Sequence, residues 1–226
     1  MKKHFIYLIF ILFPIVNQAG SEKLIPADKE KTDNYAVLHL SELGLSREVF
    51  QLALIGHNKL EASGLLMNPD ILTIVDFSQS SNNKRMYIVD LQKDTLLCNT
   101  YVAHGRNTGE EYAHNFSNES GTHKSSLGFY ITKNPAMGAT VGLSLIIKGV
   151  EKGFNDKALE RAIIIHGADY ATEDFIKKNG RLGRSYGCPS VPPELIKPVS
   201  ETIKGGSCFF IYYPDSNYRR KSTLLN

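Results

Sequence analysis

"ILTIVDFSQSSNNKRMYIVDLQKDTLLCNTYVAH", residues 71–104, decides the fold class. Three short apolar or alternating runs, ILTIVDFS, RMYIVDLQ and TLLCNTYVAH, are cut by polar stretches. Asn82-Asn83 marks one hairpin turn and Gln92 to Asp94 another. The pattern continues downstream in SLGFYITK, LSLIIKGV and AIIIHG, and SCFFIYYP reads as a last strand. From about residue 70 the chain is therefore expected to be mostly β, with mixed β-sheets and short helices (α+β). The helices are expected at FNDKALER (154–161) and PELIKPVSETI (193–203), the latter opened by Pro192-Pro193 and interrupted by Pro198.

Upstream of residue 70 the period changes. Val37, Leu38, Leu40 and Leu43 precede Gly44, a helix stop. Ser46 is placed to cap a second helix, REVFQLALIGHNKLEA, with Val49, Phe50, Ala53, Leu54 and Leu60 on its apolar side and Gly64 at its end. His57 reads as an ordinary helix residue.

The chain begins MKKHFIYLIFILFPIVNQAGS. Lys2 and Lys3 precede an apolar run from Phe5 to Val16, and Ala19, Gly20 and Ser21 follow, the pattern of a cleaved export signal. An uncleaved anchor is the alternative, although the run is short of the ~20 residues a membrane span needs. The boundaries expected are a signal over 1–20, a leader and helical region over 21–69, a mostly β domain over 70–214 and a polar C-terminal tail over 215–226. The mature chain is long enough for one domain with a core of its own.

The 226 residues carry 26 Lys and Arg against 23 Asp and Glu, a formal charge of +3, without a basic stripe interleaved with aromatics. This excludes nucleic acid as a partner. Three cysteines are too few for a disulfide scaffold and leave at least one thiol free or paired with another chain. Cys98 and Cys208 lie in strand-like runs and read as buried hydrophobes, a bridge between them being the other reading. Cys188 sits instead on the turn RSYGCPSVP (184–192), where Gly187 frees the backbone and Pro189 stiffens it.

Upstream, RAIIIHGADY ends a strand on His166-Gly167. A strand-end histidine and a turn cysteine are the parts of a thiol nucleophile system, in which the thiolate attacks and an imidazole takes its proton. Glycines beside the thiol let backbone N–H groups approach a substrate oxyanion. A histidine satisfied by its surroundings and an incidental cysteine is the bland alternative.

These residues carry a family resemblance. "IIIHGADY…LGRSYGCPSVP" resembles the His-Gly…Ser-x-Gly-Cys signature of the murein L,D-transpeptidase catalytic-domain family, in its divergent branch with Gly-Cys-Pro. The likeness extends over roughly Leu72 to Tyr212, including "FSNESGTHKSSLGFYIT", similar to the substrate-side segment of that family. It implies an L,D-transpeptidase-like fold with Cys188 and His166 as catalytic residues. The candidates for substrate binding or the oxyanion are Gly167, Arg184, Ser185, Tyr186, Gly187, Arg106, Ser117, Asn118 and Ser125. The commoner branch has an arginine two positions after the cysteine; here that position is Ser190, and Arg184 or Arg106 is the candidate replacement. Asp169 is placed to orient His166, although the family uses a backbone carbonyl for that role.

The resemblance implies a peptidoglycan L,D-transpeptidase acting on cell-wall peptide stems in the periplasm or outside the cell. No cofactor and no metal is expected; His114 and His123 with Glu110, Glu111 and Glu119 match no ligand spacing. Membrane contact is expected only through an uncleaved signal. Hydrolysis by an L,D-carboxypeptidase and a catalytically silent peptidoglycan-binding protein are the alternatives. A papain-like cysteine enzyme places its cysteine before its histidine, the reverse of the order here.

Overall fold

The computed structural model describes residues 34–226. The proposed export signal and most of the leader lie outside the described residues. Eight strands form one mixed sheet in the order β3-β2-β1-β8-β4-β5-β6-β7. They are β1 (Ile71–Asp76), β2 (Met86–Asp90), β3 (Thr95–Thr100), β4 (Gly128–Gly138), β5 (Gly142–Gly149), β6 (Ile164–Gly167), β7 (Ser190–Val191) and β8 (Cys208–Tyr212). β1 with β8 and β6 with β7 pair in parallel; the other neighbours are antiparallel.

β1, β2 and β8 are buried along their whole length. Strands covered on both faces read as continuous apolar runs rather than as alternation, which is how these appear in the sequence. Helices supply the cover. α1 (Asn34–Val37) is short, and α2 (Arg47–Ala62) packs on β1 and β8. Ser46 caps α2 by accepting the Val49 N–H at 3.2 Å. Gly56 of α2 sits against Phe129 of β4, where a Cβ would fall 2.0 Å from the ring. Phe129 in turn stacks on Phe210 of β8, with centroids 4.1 Å apart. Thr132 points to the opposite face and donates to the carbonyl of Ile203 at 2.5 Å. Ile203 is the last residue of α4 (Ile196–Ile203), which thereby covers that second face.

Local structure departs from the sequence pattern at four places. Residues 154–161 form successive turns rather than a helix. Their polar side chains compete for the backbone: Asn155 Oδ1 accepts the Glu151 N–H at 2.9 Å and Asp156 Oδ1 the Gly153 N–H at 2.7 Å. Pro198 does not interrupt α4, because it lies in the first helical turn, where a missing N–H costs nothing. The helix α3 (Glu173–Asn179), capped by Thr172, has no counterpart in the sequence reading. The expected polar tail folds back as α5 (Ser216–Lys221). Its Tyr218 hydroxyl donates to the buried Glu151 carboxylate at 2.7 Å, Ser222 bonds the same group, and the Phe129 N–H reaches it at 2.8 Å. The helical region and the sheet share a single hydrophobic core, so no boundary in packing falls near residue 69. All three cysteines are free thiols, Cys208 buried and Cys98 and Cys188 partly so.

Candidate active site

β6 carries His166 to the end of the sheet. Ile165 faces the core and is fully buried, so alternation turns Ile164 and His166 to the other side. There both line a cavity of about 700 Å³. Cys188, Ser185, Tyr186, Arg184 and Arg106 line the same cavity. The sequence-derived pair is thus brought together across a long loop.

That loop is strapped into place. The chain leaving β3 runs beside it, with Ala103 bridged to Ser190 and Gly105 to Ser185. The Arg106 N–H donates to Ser185 O at 2.8 Å and the Ser185 N–H to His104 O at 3.0 Å. Ser185 also shapes the turn from inside: its hydroxyl accepts the Gly187 N–H at 3.0 Å and donates to Cys188 O at 2.6 Å. Gly187 has φ +124, and a Cβ there would lie 2.8 Å from the Lys124 carbonyl. Only glycine serves at this point.

The Cys188 thiol donates to the carbonyl of Ala162 across 3.8 Å. Ala162 holds a left-handed φ of +52, uncommon for a residue with a side chain, and this turns its carbonyl toward the sulfur. Burial pushes the Cys188 thiol above its ordinary pKa; the Ile164 backbone N–H and the Arg161 guanidinium pull it down without overcoming that effect.

His166 has both ring nitrogens engaged. Nδ1 lies 3.0 Å from Gly167 O and Nε2 lies 3.0 Å from Ser190 Oγ. A carbonyl oxygen only accepts, so Nδ1 carries the proton and Nε2 is the basic nitrogen. Asp169 makes no bond to the ring; it begins a 3₁₀ turn, and the backbone carbonyl orients the histidine instead. Among the described residues no hydrogen bond joins His166 to Cys188.

The cavity wall is cationic. Arg106, Arg181 and Arg184 all line it. Glu110 pairs with Arg184 at 2.6 Å and with Arg181 at 2.8 Å, while Arg106 lies over the Tyr186 ring at 5.8 Å. Thr140 and Val141, at the tip of the β4–β5 hairpin, form part of the lining. Among the described residues no group of His, Cys, Asp or Glu is arranged to hold a metal ion.

Three expected groove residues are not in this cavity. Ser125 is fully buried, and its hydroxyl accepts the Gly105 N–H and donates to Gly187 O, so it braces the cysteine turn from behind. Asn118 is tied to Asp156 and to the Lys157 N–H, and Ser117 accepts the Glu119 N–H. Both line a separate cavity of about 190 Å³. Gly167 contributes its carbonyl to His166, and Gly187 spends its N–H on Ser185. The sequence reading missed Arg161, whose guanidinium bonds Ser117 O, Lys124 O and Ser126 Oγ beside the thiol. It also missed Arg181 and Ser190. The one available signal was Ser190 itself, standing where the commoner branch has arginine.

A family model described as an L,D-transpeptidase catalytic domain matches residues 41–212. The chain belongs to this family. No curated protein matches it. Among solved structures, an L,D-transpeptidase from Mycobacterium smegmatis has 8% identity and a TM-score of 0.41 over 64% of this chain and 59% of that one. A helical cell shape determining protein from Campylobacter jejuni has 13% identity and a TM-score of 0.42 over 76% and 58%. An Enterococcus faecium L,D-transpeptidase has 16% identity and a TM-score of 0.37 over 63% and 50%. The chain thus spans between 50% and 59% of the length of these three proteins.

Proposed function

We propose that this protein is an exported peptidoglycan L,D-transpeptidase with Cys188 as nucleophile and His166 as its base. The observation that carries the reading is the tautomer of His166. Gly167 O holds the proton on Nδ1, which leaves Nε2 as the proton-accepting nitrogen of a ring that lines the same cavity as the thiol. Family membership supplies the substrate class, the peptide stems of the cell wall.

The steps follow from the groups present. His166 Nε2 takes the thiol proton. The Cys188 sulfur attacks the peptide carbonyl before a D-amino acid, forming a tetrahedral oxyanion. The Cys188 N–H makes no hydrogen bond among the described residues and is the backbone donor available to that oxygen. Collapse of the oxyanion breaks the C–N bond. Protonated His166 gives its proton to the leaving amine, and an acyl-thioester remains. The amine of a second stem attacks the thioester and Nε2 takes a proton from it; the C–S bond breaks, and the imidazolium returns the proton to the sulfur to regenerate the thiol. Two moderate barriers replace one high one. Arg106, Arg181 and Arg184 suit the carboxylates of such stems.

Purified protein incubated with stem tetrapeptides and read by mass spectrometry of the products tests this. Cross-linked dimers that disappear in Cys188→Ser are the expected result. Release of the terminal D-amino acid without dimers identifies a carboxypeptidase. Turnover retained by Cys188→Ser refutes the mechanism. A carbapenem offers a second probe, because opening its ring resembles the first half-reaction; a mass adduct on Cys188 is expected.

A further inference from the structure

We infer that Ser190 and Tyr170 form a two-hydroxyl relay that serves His166 in both its neutral and its protonated form, so that both are positioning residues for the thiol chemistry. The inference rests on the reading of Cys188 and His166 as the reacting pair.

Placement comes from the sheet. β6 and β7 are parallel, with His166 opposite Ser190, so their side chains rise side by side from the same face. Ser190 Oγ lies 3.0 Å from His166 Nε2 and 3.0 Å from the Tyr170 hydroxyl. Ser190 is fully buried, and its backbone is held at both ends by Ala103, so the hydroxyl has little room to wander. Tyr170 follows β6 in the 3₁₀ turn Asp169–Ala171 and is pressed against Gly183, where a Cβ would lie 2.4 Å from the Tyr170 Cβ. The Gly183 N–H also donates to Tyr170 O at 2.8 Å. The tyrosine therefore has a built seat.

The proton positions are determined by elimination. Nδ1–H is committed to Gly167 O, so Nε2 accepts and Ser190 O–H donates to it. Ser190 has then spent its one proton, so Tyr170 O–H donates to Ser190 Oγ. In this resting arrangement the serine occupies the lone pair that the mechanism needs. When Cys188 gives up its proton, the S–H bond breaks, sulfur keeps the electron pair and an N–H bond forms at Nε2. Ser190 O–H swings to the Tyr170 oxygen, the Tyr170 proton turns into the cavity, and Nε2–H donates to Ser190 Oγ. The Cys188 side chain turns from the Ala162 carbonyl toward the ring for this transfer, and no oxidant or co-reactant is required. The bond from the charged ring is the stronger of the two, so the relay favours the thiolate–imidazolium pair over the resting pair.

The other groups facing the ring do not reverse this balance. Cys188 and Tyr170 are the titratable ones. Arg106, Arg181 and Arg184 on the wall and Arg161 beside the thiol are permanent cations, with Glu110 pairing two of them. None is altered by removing a hydroxyl.

The test is the rate of iodoacetamide alkylation of Cys188 in the full chain across pH, with each cysteine followed by peptide mapping and folding checked by thermal melting. Ser190→Ala should move the alkylation midpoint up by about half to one pH unit, the difference between a charge-assisted and a neutral hydrogen bond. Tyr170→Phe should move it in the same direction by less. A midpoint unchanged in both variants overturns the relay, as does a uniform loss of rate at every pH. His166→Ala separates the two levels. A midpoint that responds to His166→Ala and not to Ser190→Ala defeats the relay alone; one that ignores His166→Ala defeats the pairing and the relay with it.

Discussion

Two histidines of this chain follow an apolar run and precede a glycine: VAHG at His104, in the segment after β3, and IIHG at His166, in β6. Their surroundings give them opposite tautomers, and with them the opposite roles we propose. His104 is almost fully buried; its Nδ1 accepts from Arg85 at 2.8 Å and its Nε2–H donates to Gly109 O at 3.3 Å. Burial first, and the Arg85 charge second, push its pKa down to about 3. It is a neutral brace that supports the 103–109 segment against the cysteine loop. His166 has its proton on Nδ1 and its Nε2 bonded to the Ser190 hydroxyl, and its side chain lines the cavity. The lesson is that the dipeptide His-Gly does not specify a base; the partner of the other nitrogen does.

The largest effect expected separates the two directly. His166→Ala should lower turnover by about 10²–10⁴-fold, the range for losing a general base, with stability nearly unchanged. His104→Asn, whose Oδ1 can still accept from Arg85, should stay within a few-fold of wild type in turnover. Steady-state assays alongside thermal melts check this. Comparable losses of turnover in both variants would dissolve the distinction.

Breaking the brace comes next. Arg85 is fully buried and gives its donors to Gln79 O, Val102 O and His104 Nδ1. Arg85→Leu leaves these acceptors unpaired and should cost about 3 kcal/mol, read as a shift in urea midpoint at constant slope. On the catalytic side, Gly183→Ala forces a methyl group into the seat of Tyr170. A cost of about 1–3 kcal/mol is expected, together with slower Cys188 alkylation. An unperturbed alkylation profile would mean that the tyrosine does not communicate with the site.

The remaining effect is in pH. The unfolded chain protonates His104 below about pH 6.5, while the folded chain keeps it neutral down to about 3. The unfolded state therefore binds more protons in that window, and folding stability falls as pH falls through it, at most by about 1.4 kcal/mol per pH unit from this group. Denaturation midpoints measured between pH 7 and 4 should decline less steeply in His104→Asn than in wild type. Parallel slopes would show that the buried imidazole is not the group responsible.

Much of the fold was legible because local pattern carries it. The apolar runs from 71 onward became β1 to β6 and β8, and Ser46 capped α2 as its side chain and position require. The two-residue β7 escaped, since a strand of Ser190 and Val191 has no period to read; the parallel neighbour β6 creates it. FNDKALER has helical composition, yet side-chain bonds from Asn155 and Asp156 to the backbone hold it in turns. In the site, Cys188 and His166 were visible as residue types on a turn and at a strand end. Ser125 and Asn118 were expected in the groove from the family resemblance, but a polar residue bonded to backbone behind a loop has the same local sequence as one facing substrate.

The sequence by itself determined the mostly β class, the capped helix before it, the cysteine on a glycine turn and the histidine at a strand end. These are properties of short stretches, governed by period two, by backbone freedom at glycine and by capping. The tertiary structure alone decided which nitrogen of each His-Gly histidine carries the proton, which arginines line the cavity, and that Ser190 meets both His166 and Tyr170. These depend on strand register and on the face toward which a side chain is turned. Both are set by pairing and burial between residues far apart in the chain, where local pattern carries no information.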